Sequence, residues 1–496
     1  MRTQLRYVVS CGIILCLSGR TFSQGITIEQ AIREVCTNSD STKMMRQTIR
    51  KSEENVKQGW SHAYPTVSVS ASAVESRASL FGSSGSGSSS GSNAETDVGS
   101  AENASTIAKQ VKQQAQVTGA ASQSFDSVAE LYSILSELSK PITSLTYSTS
   151  LNVTQPIYTF GKIGTAIKIA HQYDQSTRNN YTREIQTLQL AAFDAFSNAV
   201  IAKKKGDIAE NAVARKKEVN AFQERNFELG SGSRQQILAV KSDVAQQNAT
   251  AIIARRDAFT ARMNLNSFMG RSLTDSTPLD TAALPAALVS APLPQADEAV
   301  KTALADRKDL KALRLISEAN KNGAKIYRAN YLPSISALGS VGYSKFNTSE
   351  SLFKDAPGTT NWTVGLGAQW TLFDGFSSSS KAAQYLSNAE KYDILYNQVT
   401  KGVEIEIRSA IAECNAADSN FAASEESFHS AQESYDLTNS DFKQGSGKFA
   451  DLLLADETLQ QAELGLTNAQ YRRLRSRAAL LVAMGKDIVT IHQEEP

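Results

Sequence analysis

Directly after Pro65 the chain alternates strictly, with Val67, Val69, Ala71 and Ala73 on one side and Thr66, Ser68, Ser70 and Ser72 on the other. A period of two marks a strand with two unlike faces. Three further segments behave alike: Leu145, Tyr147, Leu151 and Val153 against Ser and Thr; Ile335, Ala337, Val341 and Tyr343 against Ser; and Trp362, Val364, Leu366, Ala368, Trp370 and Leu372 against Thr, Gly and Gln. The pattern predicts strands at about 65–80, 143–158, 333–346 and 361–373. Each carries the roughly 9 to 11 residues with which a tilted strand crosses a bilayer. Their polar sides are small and uncharged, and Tyr64, Tyr158, Trp362, Trp370 and Phe373 stand near strand ends, as in the aromatic girdles of a membrane barrel. A soluble half-exposed sheet alternates too, but usually places Lys, Glu or Arg on its wet face. These segments place almost none there.

Between the strands the period changes. Residues 161–230 and 377–445 contain no Pro and repeat apolar positions at helical spacing, such as Phe193, Phe196 and Val200. At ~1.5 Å per residue each helix would reach roughly 100 Å. A Gly-Ser-Gly turn and a return helix follow each, giving helical hairpins over 161–270 and 377–485. Ile28–Trp60 and Ala296–Asn330 are shorter helical stretches expected to supply the rest of each return path. Composition rich in Ala, Gln, Ser and Asn suits side-by-side packing through thin seams.

The chain is written twice. Phe227, Gly230, Ser231 and Gly232 recur as Phe442, Gly445, Ser446 and Gly447, and Met269-Gly270 as Met484-Gly485, all at an offset of 215. Upstream, Glu29–Ile32 matches Asp297–Val300 and Pro65 matches Pro333 at an offset of 268. The 53-residue difference is one insertion in the first half, the Gly/Ser-rich tract and helix-prone segment within 82–140. This organises the chain as a first repeat over 24–270, a linker over 271–295, a second repeat over 296–485 and a tail over 486–496. The insertion joins the first two strands at the end opposite the helices, so it is expected to face outside.

Four strands cannot close a barrel, and an open edge in lipid leaves backbone groups unsatisfied. Bacterial outer-membrane barrels use about eight strands or more, so several chains must share one barrel. Twelve strands from three chains, enclosing a water lumen lined with Ser and Thr, is the expected arrangement.

Targeting agrees. Arg2 and Arg6 precede the apolar stretch Tyr7–Leu17, followed by small polar residues to Ser23, which reads as a signal peptide over 1–23. Cys16 follows the bulky Leu15 and is poorly placed for lipidation. Of the 496 residues 41% are apolar and 20% charged, with 51 Lys+Arg against 50 Asp+Glu. Removing the three Arg of the leader leaves 48 basic against 50 acidic groups, about −2. No basic balance marks a nucleic-acid binder. Cys36 and Cys414 remain after cleavage and are expected to be free thiols.

At this point the sequence resembles the TolC family of outer-membrane efflux ducts across essentially the whole mature chain. The resemblance rests on the two-fold repeat, the strand starts at Tyr64–Ser68 and Ala329–Ser336, Trp370–Gly375, and Asp441–Leu453. It implies a membrane α/β barrel: a trimeric, 12-stranded outer-membrane β-barrel, four strands per chain, continued by a long α-helical periplasmic tunnel. It implies no catalysis and no cofactor. Implied partners are two further copies of the chain, outer-membrane lipid, a periplasmic adaptor protein and an inner-membrane transporter, in efflux or type I secretion. The resemblance places the adaptor-contacting tip at Gly230, Ser231, Gly232, Ser233, Gly445, Ser446, Gly447 and Lys448. It matches Asp451 to a ring of acids at the tunnel entrance; the neighbouring position is Leu454, and the next acid is Asp456.

His62, His171, His429 and His492 are scattered without metal-ligand spacing, and the glycines of 82–91 lack a phosphate-loop Lys. No catalytic residue or metal site is expected. The basic runs Lys203–Lys205 and Arg215–Lys217 read as a solvated helix face. The competing function is a periplasmic coiled-coil structural or adaptor protein without a channel, which predicts no stable trimer and no conductance. The transported substrate is not legible.

Overall fold

The computed structural model describes residues 25–78, 142–230, 233–280, 291–348 and 357–490. The leader at 1–23 and the insertion at 82–140 lie outside the described residues. The chain divides into two compact units, one of 58–164 and 326–379, the other of 1–57, 165–325 and 380–496. Each repeat contributes to both.

The first unit holds one antiparallel sheet: β1 (Thr66–Ala78), β2 (Ile142–Tyr158), β3 (Ser334–Thr348) and β4 (Thr359–Gln369), paired in that order. The central β2–β3 pair joins the two repeats. Opposite residues share a face, so the register reads out two surfaces. Ser70, Ser150, Gly342 and Asn361 form one row, with Ser68, Asn152, Ser340 and Thr363 beside it. The other face carries Val69, Leu151, Val341 and Trp362 in one row and Val67, Val153, Gly339 and Val364 in the next. Among the described side chains the polar face has no ionisable and no aromatic group. Its hydroxyls satisfy one another across strands, Ser70 with Ser150 at 2.8 Å and Ser72 with Ser148 at 2.7 Å. Val74, Pro156 and Leu338 are apolar exceptions, while Glu75 and Lys345 fall on the apolar face. Val69 is 71% exposed and Leu366 77%, so the apolar face is uncovered in the single chain.

The fourth strand stops earlier than its alternation predicts, at Gln369 rather than 373. Trp370 leaves the ladder and its indole N–H donates to the Tyr331 carbonyl at 2.9 Å. Asp374 then accepts from the Tyr331 hydroxyl and the Ser378 amide, both at 2.9 Å. Lys162 donates to Asn330 at 2.6 Å, and Asn330 to Ser378 at 2.9 Å, tying the two repeats together where the strands end. Pro156 donates no hydrogen bond and sits at a register shift in β2. Beyond the strands, Phe160 (φ 48°) and Gly161 (φ 76°) are left-handed in succession, and so are Gly375 (φ 64°) and Phe376 (φ 65°).

The second unit is helical. The long helices α3 (Lys162–Glu228) and α7 (Ser377–Lys443) have 67 residues each, and the return helices α4 (Arg234–Met269) and α8 (Phe449–Ala483) have 36 and 35. Phe193, Phe196 and Val200 are buried as their spacing predicts, in a cluster with Ile32, Val35, Leu265, Met269 and Leu474. Along α7 the buried positions mix small and large residues, from Ala382 and Ala389 through Val403, Ile407, Cys414 and Ala417 to Tyr435 and Phe442.

Each short helical stretch is broken where one continuous helix was expected. The first divides into α1 (Ile28–Asn38) and α2 (Asp40–Ser61), the second into α5 (Ala296–Asp306) and α6 (Lys308–Arg328). The breaks, at Ser39 and Arg307, are 268 residues apart and therefore equivalent. Both receive the end of a return helix. A Cβ on Gly270 would stand 3.0 Å from the Asn38 carbonyl oxygen, and one on Gly485 3.2 Å from the Arg307 nitrogen. Ser39 closes its break with its own hydroxyl, which accepts from the Thr42 amide at 3.2 Å. Arg307 closes the other with charge, pairing with Asp309 at 2.7 Å and Glu406 at 2.6 Å while donating to the Ala483 carbonyl at 3.2 Å. Gln186 donates to the Gly485 carbonyl at 2.7 Å, and the Gln189 side-chain Oε1 accepts from the Ile488 amide at 2.7 Å, so one face of α3 holds the segment after α8.

Candidate functional site

Both hairpin turns lie at one end of the helical unit. Phe222, late in α3, and Phe442, late in α7, meet at a tilt of 55° with ring centroids 5.4 Å apart, and Lys443 pairs with Glu218 at 2.9 Å. Around them Tyr435, Leu452, Ala455 and Leu459 make a small apolar cluster with Phe449 and Val219.

The second turn is fully described. Gly445 has φ 82°, and the Ser446 and Gly447 amides both donate to the Asp441 carbonyl at 3.0 Å. That arrangement satisfies helix-end carbonyls through a left-handed residue. A Cβ on Gly447 would meet the Phe442 nitrogen at 2.8 Å, so this glycine is required by close backbone approach. Lys448 is the N-cap of α8 and makes no side-chain cap bond. In the first turn Gly230 has φ 80°, and Ser233 caps α4 by accepting from the Gln235 amide at 3.2 Å while Gln236 reaches back. Ser231 and Gly232 lie outside the described residues. Leu229 beside this turn is 81% exposed.

The two carboxylates expected at the entrance occupy opposite situations. Asp451, in the first turn of α8, is exposed and shares its face with Leu454, which is exposed too. Asp456 points inward and is 4% exposed. Arg215 of α3 donates to it at 2.6 Å and Gln460 at 2.8 Å. Arg215 also lies over the Tyr435 ring at 5.5 Å, and Lys216 pairs with Asp243 of α4 at 2.8 Å. Burial, then the Asp456 charge, pushes the Tyr435 hydroxyl up. The run Arg215–Lys217 is therefore not a uniformly solvated face. Its first two members are paired inside the bundle, since Lys and Arg with carboxylates at contact distance withdraw from water together. A charge run gives no sign of which members turn inward; the signal that could have found Arg215 is the acid Asp456 on an apolar stripe of α8.

Cys36 and Cys414 are both free and buried. Burial, then the charge of Asp487, pushes the Cys36 thiol up to about 12. Among the described residues no group of three His, Cys, Asp or Glu is placed to hold a metal ion, and no helix is long and apolar enough to cross a membrane.

The profile of the outer membrane efflux protein family matches residues 299–486. Two curated proteins are similar over most of the chain. Alkaline protease secretion protein AprF of Pseudomonas aeruginosa is 24% identical over 339 residues, 67% of this chain and 68% of AprF. Outer membrane protein TolC of Vibrio cholerae is 23% identical over 351 residues, 68% of this chain and 76% of TolC. The crystal structure of the Campylobacter jejuni CmeC outer membrane channel shares the fold, with a TM-score of 0.69 at 13% identity, covering 98% of this chain and 93% of that one.

Proposed function

We infer the function from one premise: the chain belongs to the outer membrane efflux protein family, the TolC-type outer-membrane factors. It is an exit duct of the outer membrane that extends into the periplasm. The family is one of channels rather than enzymes. Beyond that premise, three chains build one barrel of twelve strands, continued by a tunnel of long helices. The observation that carries this reading is the sheet: four strands with two unpaired edges among the described residues, one face of uncharged hydroxyls, the other apolar and uncovered. An open sheet of that kind is unstable in lipid until β1 of one copy meets β4 of the next.

The hydroxyl face lines the lumen. The turns at Gly230–Ser233 and Gly445–Lys448 form the tip that meets a periplasmic adaptor, which links the duct to an inner-membrane transporter supplying the energy. At the entrance Asp451 and Leu454 of three chains come together, a carboxylate ring beside an apolar one. Repulsion between the carboxylates favours opening, and a bound cation favours closure. Asp456 also belongs to this entrance, as the anchor that fixes α8 to α3 through Arg215 rather than as a second open ring. AprF is named for the secretion of alkaline protease, which supports polypeptide export as one substrate class beside small-molecule efflux.

Light scattering of the mature protein in detergent, followed by planar-bilayer conductance of the same sample, tests the reading. A trimer with discrete conductance is expected, and Asp451→Asn is expected to relieve block by divalent cations. A water-soluble monomer or dimer without conductance would sink it in favour of a periplasmic coiled-coil protein.

A further inference from the structure

In each repeat a short helix is tied to its own long helix by an ion pair, and the two pairs stand at equivalent positions with their signs exchanged. Glu53 of α2 accepts from Arg178 of α3 at 2.5 Å. Lys321 of α6 donates to Asp393 of α7 at 2.9 Å. Glu53 and Lys321 are 268 residues apart, and Arg178 and Asp393 are 215 apart, which are the two offsets of the repeat. The short helix therefore brings the acid in the first half and the base in the second.

The contacts beside these pairs differ between the halves as well. Ser52 of α2 donates to Asp174 of α3 at 2.5 Å, but the position of α7 equivalent to Asp174 is Ala389, whose side chain accepts nothing. Ser317 of α6 donates to Asp393 at 2.6 Å, but the equivalent position of α3 is Arg178, which only donates. A Cβ on Gly323 would stand 2.5 Å from the Tyr385 ring, so that ring lies directly on the glycine backbone. The equivalent positions in the first repeat are Asn55 and Ala170.

Two similar halves offer each short helix a second, wrong partner, and misassembly of this kind is a characteristic failure of repeat proteins. With α2 on α7, Glu53 would meet Asp393, Ser52 would lose its acceptor and Asn55 would press on Tyr385. With α6 on α3, Lys321 would meet Arg178, Ser317 would face another donor, and Gly323 opposite Ala170 would leave a gap. The four charged side chains keep 35% to 51% of their surface exposed, and pairs so open to water add little stability. Like charge against like charge raises the cost of the wrong pairing, so the exchange of sign acts on the choice of partner. We infer that these residues form a pairing key, which selects for each short helix the long helix of its own repeat against the equivalent long helix of the same chain or of a second copy. Nothing in the key requires a membrane.

The test keeps an ion pair in both repeats and removes only the difference between them. In the full chain Glu53→Lys/Arg178→Asp gives the first repeat the polarity of the second. Carbodiimide joins lysine to carboxylate where the two touch, so in this variant native and crossed pairings can both be trapped in detergent extracts and read by mass spectrometry. Native pairing links position 53 to 174 or 178, and 321 to 393. Crossed links, 53 to 393 and 321 to 178, are expected beside them. The fraction of newly made chains that reaches a protease-resistant state is expected to fall roughly threefold, the size of effect that half-exposed charges carry. Adding Lys321→Glu/Asp393→Arg makes the two polarities opposite again, in exchanged order, and most of that fraction is expected to return. Native links alone in the double variant would overturn the proposal. So would a loss that the quadruple variant leaves unreversed, because the defect would then lie in the altered side chains and not in the choice of partner.

Discussion

Arg215 shows how much one side chain decides in a bundle of thin seams. It reaches Asp456 from another helix, and both are largely removed from water. Removing one partner of such a pair leaves an uncompensated charge, typically about 3–5 kcal/mol, whereas replacing both by apolar groups is nearly neutral. Arg215→Ala should therefore lower the thermal midpoint far more than the double variant Arg215→Met/Asp456→Leu, measured by circular dichroism on the same detergent sample. Equal losses would mean that the pair is not desolvated in the assembly. Cys36 makes a second prediction. Its thiol, pushed up to about 12 by burial and then by Asp487, holds almost no thiolate at pH 8. Alkylation by iodoacetamide at that pH should be negligible in the folded protein and fast in denaturant, as mass spectrometry would show. Neither burial was readable from residue identity, because Arg215 and Cys36 sit in segments where exposed and buried readings share one composition.

At the scale of elements the strands were the most legible feature, and their failures are instructive. Alternation located all four, but the last continues in sequence through Leu372 while its ladder stops at Gln369. Alternation reports which side a residue faces; it does not report hydrogen bonding, and the Trp370 indole found a carbonyl outside the sheet. The helix breaks at Ser39 and Arg307 were missed for another reason. Neither break contains Pro or Gly, and each exists to admit the end of a distant return helix, a tertiary demand that no local pattern announces. The Arg307 break carries a pH dependence. Burial raises the Asp309 carboxyl, but the hydrogen bonds and charge of Arg307, with Arg183, hold it below its ordinary 3.8. A lowered folded value contributes stability above 3.8 that is lost as pH falls through the folded value. Asp309→Asn should therefore flatten the acid slope of the thermal midpoint between about pH 5 and 3; an unchanged slope would place the acid-sensitive contact elsewhere. Gly447→Ala belongs here too. With the Phe442 nitrogen 2.8 Å from the added carbon, this turn must open, and the Ser446 and Gly447 amides should exchange hydrogen faster while helix content and oligomeric mass stay constant.

For the whole molecule the repeat was the decisive clue, because two halves at fixed offsets predicted paired strands, paired hairpins and paired turns before any contact was known. What the sequence concealed is how the halves differ. One break is closed by a hydroxyl and its twin by a charge network, one junction reads Phe-Gly and its twin Gly-Phe, and one half alone carries an insertion. The tip and entrance roles of Gly230–Ser233, Gly445–Lys448, Asp451 and Asp456 came from resemblance, and the geometry adds that the two acids are unlike.

The polar face of the sheet carries no fixed charge among its described side chains. In the proposed barrel that wall gathers no diffuse layer of counter-ions, so an applied voltage drags no net flow of water along it. Current through the strand-lined stretch should then follow bulk electrolyte in simple proportion, even near 0.01 M salt, where the screening length of roughly 30 Å would let a charged wall dominate. Any surplus current at low salt would have to arise among the helices, with Asp451 as the first group to neutralise.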